Sequence, residues 1–291
     1  MKVDKFRTVI IYIIIILLGL VCLLPLLNIV AISFSSSAAV EGNMVGLIPV
    51  GFSTAAYEKI LEDSQFWHSF LISVERVVLT LIINFVLIVL MAYPLSKTNA
   101  QFRGRNIYAN LMIFAMLFNG GMIPTFLLVK SYGLLNTVWA LVLPGAVPIF
   151  NVILVMNFFA AVPKELEEAA FIDGANPLQV LTKIFIPISK PVLATVSLFS
   201  IVGSWNDFYS GLIYMSKAAY YPLITYIQSL QINVEDLIKQ GNLSAVVDSA
   251  SLGNTNLNAA KIVVAVIPLL LIYPLLQRYF VSGIVVGSVK G

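Results

Sequence analysis

The sequence predicts an all-α, polytopic membrane protein, and three observations carry that expectation. Apolar residues make up 59% of the 291 residues and charged ones only 11%, where about a quarter is usual for a globular chain. Mean hydropathy is +0.96, which argues against a soluble protein. The charge-free runs are also long: Thr8–Val40, Val77–Ser96, Asn106–Val129 and Ser131–Pro163, while Pro191–Ser216 and Ile262–Leu276 hold only Asp207 between them. A helix needs roughly 20 apolar residues to cross a bilayer. Six spans are therefore expected, near 9–32, 70–94, 107–129, 137–159, 189–212 and 260–280. No internal repeat or linker divides them, so residues 1–291 read as one membrane domain.

The first span follows "MKVDKFR" and imitates a signal peptide, with small residues after Ser33. Its apolar core of about 24 residues exceeds the ~7–15 of a signal core, so a retained anchor is expected. Cys22, the single cysteine, lies within it; it excludes an intrachain disulfide and is expected only to pack.

Basic residues orient the spans. With the N-terminus inside, the inner segments hold Lys2, Lys5, Arg7, Lys97, Arg103, Arg105, Lys164, Lys183, Lys190, Arg278 and Lys290, eleven of the 17. The outer side holds the other six: Lys59, Arg76, Lys130, Lys217, Lys239 and Lys261. Positive residues stay inside, so both termini are expected in the cytoplasm. The Lys97–Arg105 loop is the clearest case, with three basic residues and no acid. The net charge of +3 thus reflects topology, and nothing points to a nucleic-acid partner.

Two outer segments are long enough to hold structure. In Ser33–Trp67, Ser53 or Thr54 suits the cap of a short helix through Tyr57, Ile60 and Leu61. In the outer loop 216–258, a helix is expected over Ile224–Ile232. Each segment is either a solvated loop or a docking surface for an external partner. Pro25, Pro94, Pro124, Pro144, Pro148, Pro268 and Pro274 punctuate the spans, and each frees a backbone carbonyl.

Between the fourth and fifth spans, four acids fall within Glu165–Asp173: Glu165, Glu167, Glu168 and Asp173. The region 160–188 reads as a helix–turn–helix. Pro163 suits a first helical position, Glu165 favours the positive end of the dipole, and Gly174 ends the first helix. Asn176 then caps a second helix, with Pro177 at its start and Gln179 completing a capping box. That helix carries Leu178, Leu181, Ile184 and Phe185 on one side and is expected to stop before Pro187. An amphipathic helix lying on lipid normally carries Lys and Arg. An acidic rim on the basic side of a membrane fits protein docking better.

Glu168-Ala169-Ala170, three residues, Gly174, nine residues, Ile184, one residue, then Ile186-Pro187 resembles the EAA loop of ATP-binding-cassette (ABC) importer permeases. The pattern is EAA-x3-G-x9-I-x-LP, and Ile186 for Leu is the sole departure. "NGGMIPTFLLVKSYGLLNTVWALVLP", "NFFAAVPKELEEAAFIDGA", "SWNDFYSGLIYM" and "GSVKG" extend the resemblance to carbohydrate-uptake permeases, in the maltose-type branch that serves oligosaccharides, including uronate-containing ones. The resemblance implies a permease subunit for sugar import in a bacterial cytoplasmic membrane. It implies a second permease chain, two cytoplasmic ATPase subunits and an extracytoplasmic sugar-binding protein. On it, Glu168, Ala169, Ala170, Asp173, Gly174, Ile184 and Pro187 couple the chain to the ATPase. Small Ala169 and Ala170 allow close approach, Gly174 the turn, and Glu168 a charge-assisted contact.

Asp207 is the only acid within an apolar span, which makes it a functional candidate. Sixteen residues from Pro191 at ~1.5 Å place it about 24 Å into a core of ~30 Å. Trp205, Asn206, Asp207 and Tyr209 either line a sugar pathway or form an interfacial belt. Asn119, near the midplane, either lines the cavity or bridges helices. The sequence holds no G-x-x-x-x-G-K-[ST] phosphate loop and no metal-spaced His/Cys cluster. No enzyme activity or cofactor is therefore expected in this chain; ATP and Mg belong to the ATPase subunits. An importer for another solute class shares the EAA loop, whereas a secondary transporter would show inverted repeats and a midplane ionisable site.

Overall fold

A computed structural model of the chain describes residues 5–118, 120–230 and 255–287. The described residues are helical, with no strand among them. Among the described residues, three helices are long and apolar enough to cross a membrane, within Arg7–Ser33, Ser64–Leu95 and Thr255–Pro274. Three bent pairs raise that to six when each pair is counted as one span.

The chain divides into two compact units, residues 1–68 with 226–268, and residues 69–225 with 269–291. In the first unit, α1 (Lys5–Ser33) exposes its large apolar side chains from Val9 to Leu27, as a helix surrounded by lipid would. Cys22 is exposed rather than packed. Two short helices follow, α2 (Ser37–Glu41) and α3 (Ala55–Glu62). Thr54 occupies the cap of α3, but its hydroxyl bonds Glu58 rather than the backbone. Ile60 is buried and Leu61 exposed. Asp63 accepts from Phe66 N–H (3.0 Å) and pairs with Lys261 at 2.7 Å, with Tyr226 O–H at 2.9 Å. Burial alone raises the Asp63 carboxyl's pKa; its bonds to Lys261, Phe66 and Tyr226 outweigh that and hold it below the ordinary carboxylate value. The helix expected over Ile224–Ile232 is present over 223–230; its last two residues lie outside the described ones.

The second unit carries the broken spans. Residues 107–129, expected as one helix, form α5 (Arg105–Leu117) and α6 (Met122–Ser131), at 110° to each other. Gly121, at φ +90°, starts the second of these; only glycine takes that conformation without strain. Residues 137–159 likewise split into α7 (Val138–Val142, continued by a 3₁₀ turn over Leu143–Gly145) and α8 (Ile149–Ala160), bent by 47°. Pro144 and Pro148 remove the donors that would carry the helix through.

The end of α4 (Ser64–Leu95) packs with α5 and α8 around one core that includes Ile88, Ala92, Met112, Val152, Val155 and Phe159. The helix–turn–helix joins that core through α9 (Lys164–Ile172) and α10 (Pro177–Ile188). Next come α11 (Lys190–Asn206) and α12 (Tyr209–Tyr214). The expected span 189–212 therefore ends early, at Asn206. Asp207 stops it, because its Oδ1 accepts from Ser210 N–H at 3.1 Å, a local bond that competes with the helix. Finally, α13 runs Thr255–Gly287.

Gly211 in α12 packs directly against Thr225, leaving no room for a side chain. A Cβ there would stand 2.1 Å from Thr225 Oγ1 and 2.9 Å from Thr225 Cβ, and that hydroxyl already donates to Phe208 O at 3.0 Å. Gly211→Ala is therefore expected to lower stability by about 1–3 kcal/mol through overpacking. Thermal unfolding of the purified chain checks it. Adding Thr225→Ala should restore part of the loss.

Candidate functional site

The helix–turn–helix forms because each local signal is met. The first helix closes on Gly174, at φ +81°: Gly174 N–H reaches Phe171 O (3.1 Å) and Ala175 N–H reaches Ala170 O (2.9 Å), so the last carbonyls are satisfied. Asn176 then opens the second helix with a complete capping box. Gln179 N–H donates to Asn176 Oδ1, and Asn176 N–H to Gln179 Oε1, both at 2.9 Å.

The second helix does not stop before Pro187. It continues as a π turn over Leu181–Phe185, in which Ile186 N–H reaches Leu181 O, then a helical turn over Ile186–Ile188. The wider turn accommodates a proline ring that an α-helical register would reject. The chain then bends by 84° into α11.

This loop exposes Glu168, Ala169, Asp173, Gly174 and Pro187, while Ala170 and Ile184 are half-buried against the core. Around the small residues stand large apolar ones: Phe171, Leu178 and, at 86% exposure, Ile172. The crook between the helices is a recess of about 470 Å³ lined by Ala170, Asp173, Gly174, Gln179, Lys183 and Ile184. Glu167 was expected on the acidic rim, but it is buried. Its Oε1 lies 2.6 Å from Lys97 Nζ and 3.4 Å from Tyr93 O–H. Lys97 also sits over two rings, 4.1 Å from the Tyr93 centroid and 4.2 Å from that of Phe185. Burial pulls the Lys97 ammonium below its ordinary pKa, and Glu167 restores only part of the difference.

The second candidate cluster resolves less uniformly. Asp207 is paired with Arg76, whose guanidinium donates to both the Asp207 carboxylate (2.5 Å) and the Asp207 carbonyl (3.0 Å). Asp207 lines a polar recess of about 250 Å³ with Arg76, Asn84, Asn151, Ser204 and Tyr214. Of the other pathway candidates, Trp205 is buried edge-on against Phe70 (5.8 Å), whereas Asn206 and Tyr209 are exposed. None of these three lines the recess. Asn119 lies outside the described residues.

Residues 84–286 match the family described as "Binding-protein-dependent transport system inner membrane component". The chain belongs to this family. Two relatives from Bacillus subtilis are each 40% identical to this permease. They are Protein LplC, over 94% of this chain and 91% of its own, and the polygalacturonan/rhamnogalacturonan transport system permease protein YtcP, over 99% of both. The fold is similar to a chain in the crystal structure of a bacterial ABC transporter involved in the import of the acidic polysaccharide alginate. The TM-score is 0.83 at 32% identity, covering 96% of this chain and 98% of that one. The permease is thus a multi-pass inner-membrane component of a transport system, not an enzyme.

Reading the sequence of the permease missed Lys97, Arg76 and the inward turn of Glu167. One signal was present: Glu167 and Ala170 lie three residues apart, on one helical face, and Ala170 is on the packed side. Removing one partner from a buried ion pair costs about 3–5 kcal/mol. Glu167→Ala is accordingly expected to cost about 3 kcal/mol, because the pair keeps some exposure, 12% for Lys97 and 10% for Glu167. Joint replacement by Lys97→Met and Glu167→Leu should recover most of it. Melting temperatures of the unaltered chain and the two purified variants decide the matter.

Proposed function

We propose that this permease forms half of the channel of an ABC importer, passing an oligosaccharide handed over by an extracytoplasmic binding protein. On this reading residues 1–291 are one transmembrane domain with both termini in the cytoplasm. It pairs with a second permease chain and seats its helix–turn–helix on a cytoplasmic ATPase. ATP and Mg are then held and turned over by two separate ATPase subunits, and this chain carries no cofactor. Uronate-bearing oligosaccharides are the substrate class, because YtcP is named for polygalacturonan/rhamnogalacturonan transport and the solved transporter for import of the acidic polysaccharide alginate.

The observation that carries the reading is the exposed surface of the loop. Small Ala169 lies open beside Glu168, next to a glycine turn and exposed Ile172 and Leu178. Such a knob buries apolar area in a partner's cleft while Glu168 makes a charge-assisted contact at its edge. The same helix is fixed from behind by Lys97–Glu167, so force applied at the knob reaches the end of α4. Asp207 and its recess are proposed to border the sugar path, with Trp205, Asn206 and Tyr209 adjoining it in sequence, and Asn119 is proposed for the same path.

Glu168→Lys and Gly174→Trp are expected to leave the chain in the membrane while releasing or uncoupling the ATPase. Gly174→Trp adds left-handed strain of about 1–2 kcal/mol at the turn itself. Oligosaccharide uptake and ATPase co-purification are the readouts; full uptake with normal retention in both variants would refute the assignment. Orientation has its own measurement. A tag in the Lys97–Arg105 loop or after Gly291 should be reached only from the cytoplasm, and one beside Asn254 only from outside.

A further inference from the structure

We infer that the groove between α4, α5 and α8 holds an acyl chain of an anionic phospholipid, with the lipid phosphate against Arg103 and Arg105. The groove is a cavity of about 470 Å³ walled by aliphatic and aromatic side chains. From α5 it takes Tyr108, Leu111, Met112 and Ala115, which recur at helical spacing and so form one stripe. Its rim lies at the start of that helix. Phe102 and Leu95 line it, and Arg105 Nε donates to Leu95 O at 3.0 Å.

Length matches the occupant. Ten residues separate Arg105 from Ala115, about 15 Å of helix, which is half of a ~30 Å hydrocarbon core. The cavity thus spans one leaflet, from a basic rim to the midplane. Charge matches it too. The Lys97–Arg105 loop has three basic residues and no acid. Glu167 neutralises Lys97; Arg103 is exposed, and Arg105, held by Leu95 O and Asn106 Oδ1, still carries its charge at the rim. Basic pockets between membrane helices on the cytoplasmic side are where anionic headgroups bind. A helix of the second permease would fill the apolar wall but bring no anion for the two arginines; a lipid satisfies both ends. The inference goes beyond the coupling reading and shares only the inward orientation of this loop, which the tag measurement reports separately.

The test uses the assembled transporter in phosphatidylcholine vesicles containing a minority of phosphatidylglycerol. A photoreactive group is placed in mid-chain of one lipid or the other, and labelled peptides are mapped. Phosphatidylglycerol probe should label the Leu111–Ala115 stripe in preference to phosphatidylcholine probe. Arg103→Gln should reduce that labelling about fivefold, the weight of one basic residue at a lipid surface. Ala115→Trp, which fills the cavity, should abolish it while sparing labelling elsewhere on the chain. Equal labelling by the two probes, or labelling indifferent to both substitutions, overturns the site. So does labelling seen in the isolated chain but lost in the assembled transporter, since the second permease would then be the occupant.

Discussion

The ion pair between Lys97 and Glu167 is the constraint on which the working end of the molecule depends. An ammonium that leaves water needs a counter-charge and a polarisable surround. Lys97 finds both: a carboxylate at 2.6 Å and the faces of Tyr93 and Phe185. Phe185 in turn stands edge-on to Tyr93 (5.1 Å) and Phe159 (5.4 Å). One contact thus gathers the end of α4, the end of α8 and both helices of the helix–turn–helix. The desolvation cost of the charges holds the arrangement in place, since removing either partner would leave a buried charge uncompensated at about 3–5 kcal/mol.

The broken spans pose the complementary problem. A chain that interrupts its helices in a membrane must satisfy the freed backbone groups from within. Asn84, its amide oriented by its neighbours, accepts from Ser200 Oγ (3.2 Å) and donates to Ala146 O (3.0 Å) at the break between α7 and α8. Arg76 does the same for the end of α11, through the Asp207 carbonyl. These polar residues are what permits the kinks, and the kinks are what opens a polar recess between apolar helices. A translocation path needs such a recess, and unbroken, fully bonded helices would close it.

Much of the helix–turn–helix was legible because its determinants are local. The Gly174 turn, the Asn176–Gln179 box and the openness of Glu168 and Ala169 depend on residues within a few positions of one another. Where longer-range packing decided, the local signals failed. Pro187 was expected to end a helix, yet a π turn carried the chain past it, because the buried Leu181 and Phe185 hold that turn against the core. Asp207 was expected inside a span, yet it lies just beyond the helix end, accepts from Ser210 N–H and pairs with Arg76, 131 residues away.

By itself the sequence determined an all-α membrane class, the Gly174 turn and Asn176–Gln179 cap of the helix–turn–helix, and its exposed Glu168 and Ala169. Each follows from composition, from proline and glycine stereochemistry, or from capping bonds within one turn. The tertiary structure alone decided which acid of Glu165, Glu167 and Glu168 turns inward, which of the basic residues is neutralised, and which aromatic residue packs rather than faces outward. Those outcomes rest on charge pairing and ring contact between segments far apart in the chain. Desolvation makes such pairings strong, but only the folded backbone brings the partners within reach.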